Sequence, residues 1–127
     1  MNKIETNNAP AAIGPYVQGM DLGSLVITSG QLPINPTTQS MPESAAEQTQ
    51  QSLSNVLAIL EQVGLDASNI VKTTVFVKDL NEFTNINAVY EVFFVQNDAQ
   101  FPARSCVEVA RSPTDAKVEM DVIAIRS

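Results

Sequence analysis

Arg104 is the first residue whose type and position could do chemistry on a small anion. It follows residues 101–103 (Phe-Pro-Ala) at the head of a predicted strand. A guanidinium binds a carboxylate through two parallel hydrogen bonds, a geometry that a lysine ammonium does not reproduce. Two interpretations of Arg104 stand side by side: a fork that binds the carboxylate of a substrate, or a surface arginine that pairs with a carboxylate of the protein itself.

Glu119 is the second candidate, because it lies between the apolar residues Val118 and Met120 in another predicted strand. A carboxylate held in a pocket orients or deprotonates a water molecule. The alternative is a solvated carboxylate that alternates with core residues along the strand. If the last two strands form a simple hairpin, Arg104 lies nearer Ile123 than Glu119. The sequence therefore does not itself bring the two charged residues together.

Cys106 and Asn87 are weaker candidates. Cys106 shares a strand face with Arg104 by the period of two, and we interpret it as a small buried hydrophobe whose backbone N–H is more useful than its sulfur. Asn87 is predicted on the apolar face of a helix, between Phe83 and Tyr90, where a buried amide needs a hydrogen-bond partner.

Tyr16 and the pair Ser29-Gly30 are candidates nearer the N-terminus. Tyr16 follows Gly14-Pro15, and Ser29-Gly30 ends a predicted strand. A glycine where a strand breaks is usually part of a bulge or turn, and it also allows a ligand to approach the backbone closely. Neither feature is specific by itself.

The composition excludes several kinds of chemistry. The chain has no histidine and one cysteine, which excludes Ser-His and Cys-His catalysis, a histidine general base and a cysteine-based zinc site. Its formal charge is −7 and its seven basic residues are scattered, so a nucleic-acid partner is not expected. No stretch resembles a signal sequence or a membrane span, and we expect a cytoplasmic protein with no metal and no membrane partner.

The elements that must position these residues are those of one domain spanning residues 1–127. The hydrophobic periods predict a helix from about Glu43 with its cap at Gly64, and a second helix from about Asn81. Five strands are predicted, at residues 17–20, 24–28, 70–77, 103–110 and 117–125. This order predicts an α+β fold with two helices on one face of a mixed sheet. The uncovered face and the charged fraction of 17% favour self-association.

Taken together, the motifs resemble those of the RidA (YjgF) family of reactive intermediate deaminases, and within it the TdcF-like branch. The similarity extends over nearly the whole chain. It is carried by ordered segments at residues 9–18 (APAAIGPYVQ), 28–33 (TSGQLP), 71–80 (VKTTVFVKDL), 83–94, 101–107 (FPARSCV) and 118–120 (VEM).

The resemblance implies a chorismate-mutase-like fold and a homotrimer whose sheets form a central β-barrel, with ligand sites in the clefts between subunits. It also implies an enzyme that hydrolyses 2-imino and enamino acids, such as 2-iminobutyrate and 2-aminoacrylate, to 2-keto acids and ammonia. The substrate already carries an electrophilic C=N group, so no cofactor is expected.

The roles of the candidate residues follow from the same resemblance. Arg104 is expected to bind the substrate carboxylate and Glu119 to position and activate water. Tyr16 is expected to line the cleft, with backbone hydrogen bonds from Gly30 and Cys106. Ser29 and Asn87 are expected to support the site.

Ser112 departs from the family pattern, which usually has an apolar residue at this place, commonly leucine. Because Ser112 lies in the turn between the last two strands, we expect it to lie away from Arg104 and Glu119 and to affect packing rather than chemistry. Two other functions are weighed. A small-molecule binding or regulatory module without turnover is the main alternative, and retention of Arg104 with Glu119 favours the enzyme. A ribonuclease is disfavoured by the acidic charge and the absence of histidine.

Overall fold

The computed structural model describes residues 1–127 as six strands and two long helices. The strands are β1 (Asn2–Ile4), β2 (Gly19–Asp21), β3 (Leu25–Thr28), β4 (Ile70–Val77), β5 (Ala103–Glu108) and β6 (Val118–Ile125). The helices are α1 (Ala45–Gln62) and α2 (Phe83–Gln96). Three short 3-10 turns lie at Ala67–Asn69, Leu80–Glu82 and Pro113–Asp115. None of the helices is long and apolar enough to cross a membrane.

The strands form one mixed sheet in the order β1-β2-β3-β6-β4-β5. Only β4 and β5 are parallel, and α2 supplies the crossover connection that parallel neighbours require. All other neighbours are antiparallel. The predicted α+β class and mixed sheet are confirmed.

Both helices pack on one face of the sheet, as predicted. Along β6 every second residue is buried against the helices: Val118, Met120, Val122 and Ala124. This alternation follows from the period of two in a strand, which sends the residues between them to the opposite face. That opposite face, called here the open face, carries Glu119, Asp121, Ile123 and Ile125 of β6 together with Ile27 of β3 and Val107 of β5.

Local sequence signals fix the helix ends. The Ser44 side chain accepts a hydrogen bond from the Glu47 N–H, so α1 begins one residue later, at Ala45. Gly64, which adopts φ +79°, follows the end of α1 at the place predicted for its cap. The predicted strand at residues 70–77 is reproduced residue for residue as β4.

The expected hairpin of the last two strands is wrong. β5 and β6 do not pair, because β4 lies between them. The connecting loop crosses the end of β4: the Val109 N–H donates to the Val77 carbonyl, and the Lys78 N–H donates to the Lys117 carbonyl. The loop between β5 and β6 is too long to force these two strands to pair as a hairpin. Packing of the buried face of β4 determines the strand order instead.

The short strand β1 was not predicted. It has three residues, of which only Ile4 is buried, so its sequence shows no alternating run that would indicate a strand. The predicted strand at 103–110 ends two residues earlier, at Glu108, and the predicted strand at 17–20 lies at Gly19–Asp21.

Candidate active site

Arg104 is held in a defined orientation at the start of the edge strand β5. Its Nη1 donates to Asn87 Oδ1 on α2 at 2.8 Å. Its guanidinium carbon lies 4.7 Å from the ring centroid of Tyr90 and 5.3 Å from that of Phe83. The Tyr90 hydroxyl is in turn hydrogen-bonded to Thr73 Oγ1 at 2.7 Å, and Thr73 is the residue of β4 beside Arg104. Packing therefore fixes the guanidinium before any ligand binds.

Arg104 has no carboxylate partner within the chain. The three ion pairs join Lys3 to Glu5, Lys78 to Asp115 and Arg126 to Asp21. A surface cavity of about 380 Å³ opens beside Arg104, between Asn87 and Tyr90 of α2 and Phe101 and Pro102 before β5, with Glu91 also at its border. The interpretation of Arg104 as a surface arginine paired with the protein's own carboxylate is wrong, and guanidinium donors remain available to an external anion.

Cys106 and Asn87 complete the group around Arg104. Cys106 lies two residues further along β5 on the same face and packs partly against the core. Burial raises the pKa of its thiol, and the neighbouring Arg104 charge lowers it in part, so the sulfur is protonated at neutral pH. Asn87 is half-buried, and the hydrogen-bond partner expected for its amide is the Arg104 guanidinium.

Glu119 lies on the open face of the sheet, beside Phe76 of β4. The chain leaving β3 runs alongside β6 there, because Gln31 and Met120 exchange backbone hydrogen bonds of 2.7 and 3.3 Å. This brings Gly30 against the carboxylate: a Cβ at position 30 would lie 2.6 Å from Glu119 Oε2. The glycine lets the backbone approach the carboxylate closely, and any larger residue would displace the Glu119 side chain from this position.

The environment of Glu119 favours its neutral form. Burial raises the pKa of the carboxyl above its usual range, the nearby Ser112 hydroxyl lowers it in part, and the nearby Asp121 carboxylate raises it further. The expectation that Ser112 lies away from Glu119 is wrong. The loop after β5 crosses the end of β4 and places the buried Ser112 near the Glu119 carboxyl.

Ser29 precedes Gly30, the residue beside Glu119, whereas Tyr16 lies earlier in the chain among the N-terminal residues. The Ser29 hydroxyl donates to the Val17 carbonyl at 2.5 Å, and its N–H donates to the Gln18 carbonyl at 2.9 Å. Ser29 thus ties the segment after Tyr16 to the end of β3. Tyr16 is 52% exposed and borders a cavity lined by the N-terminal residues instead of the cavity beside Arg104.

The candidate residues therefore form two separate groups within one chain. Arg104, Asn87 and Cys106 lie on the helix-covered face at the sheet edge, whereas Glu119 is on the open face. In register, Arg104 is level with Thr73 and Glu119 with Phe76, across the intervening strand β4. Strand spacing and rise put the two Cα atoms roughly 14 Å apart, with side chains on opposite faces. No group of three or more potential ligand side chains could hold a metal ion.

Two supporting residues were not found from the sequence. Thr73 reads as an ordinary β-branched strand residue, and only the packing of α2 on β4 reveals that it fixes Tyr90 beneath Arg104. Ser112 did carry a signal, since it departs from the family pattern. Its position near Glu119 depends on the path of the loop, which local sequence does not specify.

The chain matches known proteins over nearly its whole length. The family model described as Endoribonuclease L-PSP matches residues 6–126. A 2-iminobutanoate/2-iminopropanoate deaminase of Escherichia coli is 63% identical over 123 residues, covering 97% of this chain and 96% of that protein. The chain belongs to the RidA family.

Solved RidA structures share the fold described above. The YjgF gene product of E. coli superimposes with a TM-score of 0.99 at 60% identity, covering 100% of both chains. The structure of E. coli TdcF with bound serine gives a TM-score of 0.99 at 53% identity, also covering 100% of both chains. Two helices over one six-stranded mixed sheet are therefore the RidA fold in this chain.

Proposed function

We propose that this chain is a cofactor-independent deaminase that hydrolyses 2-imino and enamino acids to 2-keto acids and ammonia. The observation that carries the proposal is the 63% identity, over 97% of the chain, to the 2-iminobutanoate/2-iminopropanoate deaminase. The geometry supports it, because a 2-imino acid needs one cation for its carboxylate and one base for water. Arg104 is a fixed guanidinium without an ion partner, and Glu119 is a half-buried carboxylate.

The reaction needs only these two groups. Arg104 binds the substrate carboxylate, which places the adjacent C=N carbon at a fixed position. Glu119 accepts a proton from a bound water as its oxygen attacks that carbon, forming a tetrahedral adduct. Glu119 returns the proton to the nitrogen, which gives a neutral adduct with one hydroxyl and one amino group. The hydroxyl proton then moves to the amino nitrogen, the C–N bond breaks, and ammonia departs as the C=O bond of the 2-keto acid forms. One water is consumed, and no electrons are transferred.

The proposed site is shared between copies of the chain. The carboxylate and imine carbons of a 2-imino acid are directly bonded, so one substrate cannot reach both Arg104 and Glu119 of the same chain. A neighbouring copy that contributes the second residue removes this conflict. The proposed assembly is a homotrimer in which the open faces line a central barrel. The three copies form a closed ring, because each copy contacts the next in the same way.

The surface composition supports this assembly. The open face exposes 39% of Ile27, 42% of Val107 and 45% of Ile125, although each is a large apolar residue on a sheet. β5 is an edge strand with an unpaired outer side. Contact with another copy would cover both features.

In solution we expect about three times the chain mass of 13.7 kDa. Burial of the open face should keep the trimer together at micromolar concentration. Sedimentation velocity or light scattering measures this mass directly. A monomer would contradict the shared site as well as the assembly, since one chain separates Arg104 from Glu119.

The proposal also includes a single domain over residues 1–127 and a cytoplasmic location. One free cysteine, Cys106, offers no disulfide framework of the kind that small secreted domains use.

The alternative of a binding module without turnover has one observation in its favour, because the related TdcF structure holds an amino acid, serine.

A coupled assay separates the enzyme from the binding module. A pyridoxal-dependent threonine dehydratase releases 2-iminobutanoate, and formation of 2-oxobutanoate is followed with this protein or with the same concentration of serum albumin. Because free imines also hydrolyse in water, the rate must increase in proportion to protein concentration. Calorimetric binding of 2-oxobutanoate without any acceleration would establish the binding module and contradict the deaminase.

A further inference from the structure

Gln18 is a buried amide that holds a separate part of the chain. It is 4% exposed and immediately precedes β2. Its Oε1 accepts from the Thr6 N–H at 2.7 Å, and its Nε2 donates to the carbonyls of Thr6, Ala9 and Pro10, at 3.0, 3.3 and 2.8 Å. One side chain therefore satisfies four backbone groups of residues 6–10, a segment that forms no strand or helix.

The loop at residues 11–16 depends on this amide for its position. Its only backbone–backbone hydrogen bond joins the Tyr16 N–H to the Gly14 carbonyl at 2.9 Å, inside the loop. None of its side chains is buried, and Tyr16 is 52% exposed. The bond from Gln18 to the Pro10 carbonyl closes the loop at its base, because Pro10 precedes the loop and Gln18 follows it. Without that bond, an exposed segment with so few contacts is free to move.

The end of the loop that carries Tyr16 is linked to Glu119. The Ser29 hydroxyl donates to the carbonyl of Val17, the residue after Tyr16, at 2.5 Å. Gly30 follows Ser29 and lies so close to Glu119 that a Cβ there would be 2.6 Å from Oε2. This series of contacts fixes one end of the loop beside the carboxylate proposed to activate water, and the buried amide fixes the other.

We infer that Gln18 is a positioning residue for the proposed deamination: its amide closes the loop at residues 11–16 and so holds the Tyr16 ring at the shared site. The catalytic consequence rests on the proposed function, whereas the four hydrogen bonds do not. Gln18 acts through Tyr16 and not on the substrate. Glutamine suits this role because one amide supplies both donors and an acceptor.

The direct test follows the order of the loop by ¹⁹F NMR. The chain has only two tyrosines, Tyr16 and Tyr90, so labelling with 3-fluorotyrosine gives two signals, assigned by the loss of one in Tyr16→Phe. Gln18→Met keeps the length of the side chain but removes its hydrogen bonds. The Tyr16 signal should sharpen and move toward that of free 3-fluorotyrosine, while the signal of the buried Tyr90 stays in place.

A second variant and a control accompany this measurement. Gln18→Glu keeps the acceptor for the Thr6 N–H, but an ionised carboxylate cannot donate to the carbonyls, so the Tyr16 signal should move in the same direction. Gln48→Met is the matched control, because Gln48 is 3% exposed and its amide bridges the Pro42 carbonyl and the Lys117 N–H. Both tyrosine signals should stay in place in that variant.

Activity supplies the second readout. The kcat/KM of Gln18→Met should fall roughly ten- to a hundredfold, because misplacement of a site group by about 1 Å has effects of this size. Gln48→Met should retain the wild-type rate. In a Tyr16→Ala background, Gln18→Met should cause little further loss, since two residues that act as one unit are not additive.

The outcomes separate the inference from the proposed function. A merely structural glutamine would lower activity by the same factor with and without the Tyr16 ring. That result, or an unchanged Tyr16 signal in folded Gln18→Met, would overturn the inference. An inactive wild type with a displaced Tyr16 signal in Gln18→Met would instead overturn the proposed deamination and leave the anchoring of the loop standing.

Discussion

Replacing Arg104 with alanine is expected to abolish deamination, with kcat/KM lowered more than about a hundredfold, while the fold and the oligomer remain intact. The guanidinium lies at an exposed sheet edge, held by Asn87 and by the faces of Tyr90 and Phe83, and it takes part in no ion pair that stabilises the chain. Its loss therefore removes substrate binding and alignment without opening the core. Steady-state kinetics on 2-iminobutanoate measure the effect.

Two further variants test whether binding of the substrate carboxylate needs the bidentate geometry of the guanidinium or only its positive charge. Arg104→Lys keeps the charge but loses bidentate geometry, so most of the activity should still be lost. Arg111→Ala removes the same charge from another exposed position and should retain the wild-type rate. Wild-type kinetics in a folded Arg104→Ala oligomer would show that another group binds the substrate carboxylate.

Glu119→Gln is expected to slow turnover by about 10²- to 10⁴-fold while leaving binding of a keto-acid analogue nearly unchanged. Glutamine keeps the shape and still hydrogen-bonds water, but it cannot accept a proton at neutral pH. Burial and Asp121 raise the pKa of Glu119, so wild-type activity should decline as the pH falls through that raised value. This acidic limb should be absent from the residual activity of Glu119→Gln.

Asp121→Asn is the matched control for Glu119. The residue shares the strand and the face of Glu119, yet Gly30 lies against Glu119 and not against Asp121. Turnover should persist, with the acidic limb displaced to lower pH because a charge that raises the Glu119 pKa has been removed. Equal rates for wild type and Glu119→Gln would leave Glu119 as a solvated strand carboxylate, the alternative its sequence context offers.

Local patterns were sufficient to predict the elements that bury a continuous apolar surface. The β-branched run at residues 70–77 and the helical period before Gly64 both indicated their elements, because burial on one face leaves a regular trace in the sequence. β1 left no such trace, since Ile4 is its only buried residue. The position of β4 between β5 and β6 depends on tertiary packing that no single segment records.

The candidate site was predictable residue by residue but not as an arrangement. The family motifs identified Arg104 and Glu119 as candidates. They did not indicate that the two side chains lie on opposite faces of the sheet. Nothing in a linear sequence indicates that a second copy must supply one of them. The position of Ser112 near Glu119 was missed for a related reason, because the loop that carries it crosses the end of β4 instead of forming a hairpin turn.

Mixed oligomers of the two inactive variants give the most direct test of a deaminase site shared between copies. Co-expressed Arg104→Ala and Glu119→Gln chains, carrying different affinity tags and purified on both, are assayed for 2-oxobutanoate formation from 2-iminobutanoate. Every trimer that contains both variants joins an intact Arg104 to an intact Glu119 at one of its three sites, so activity should recover toward about a third of wild type. Mixed oligomers no more active than either variant alone would contradict a site made of Arg104 from one copy and Glu119 from the next.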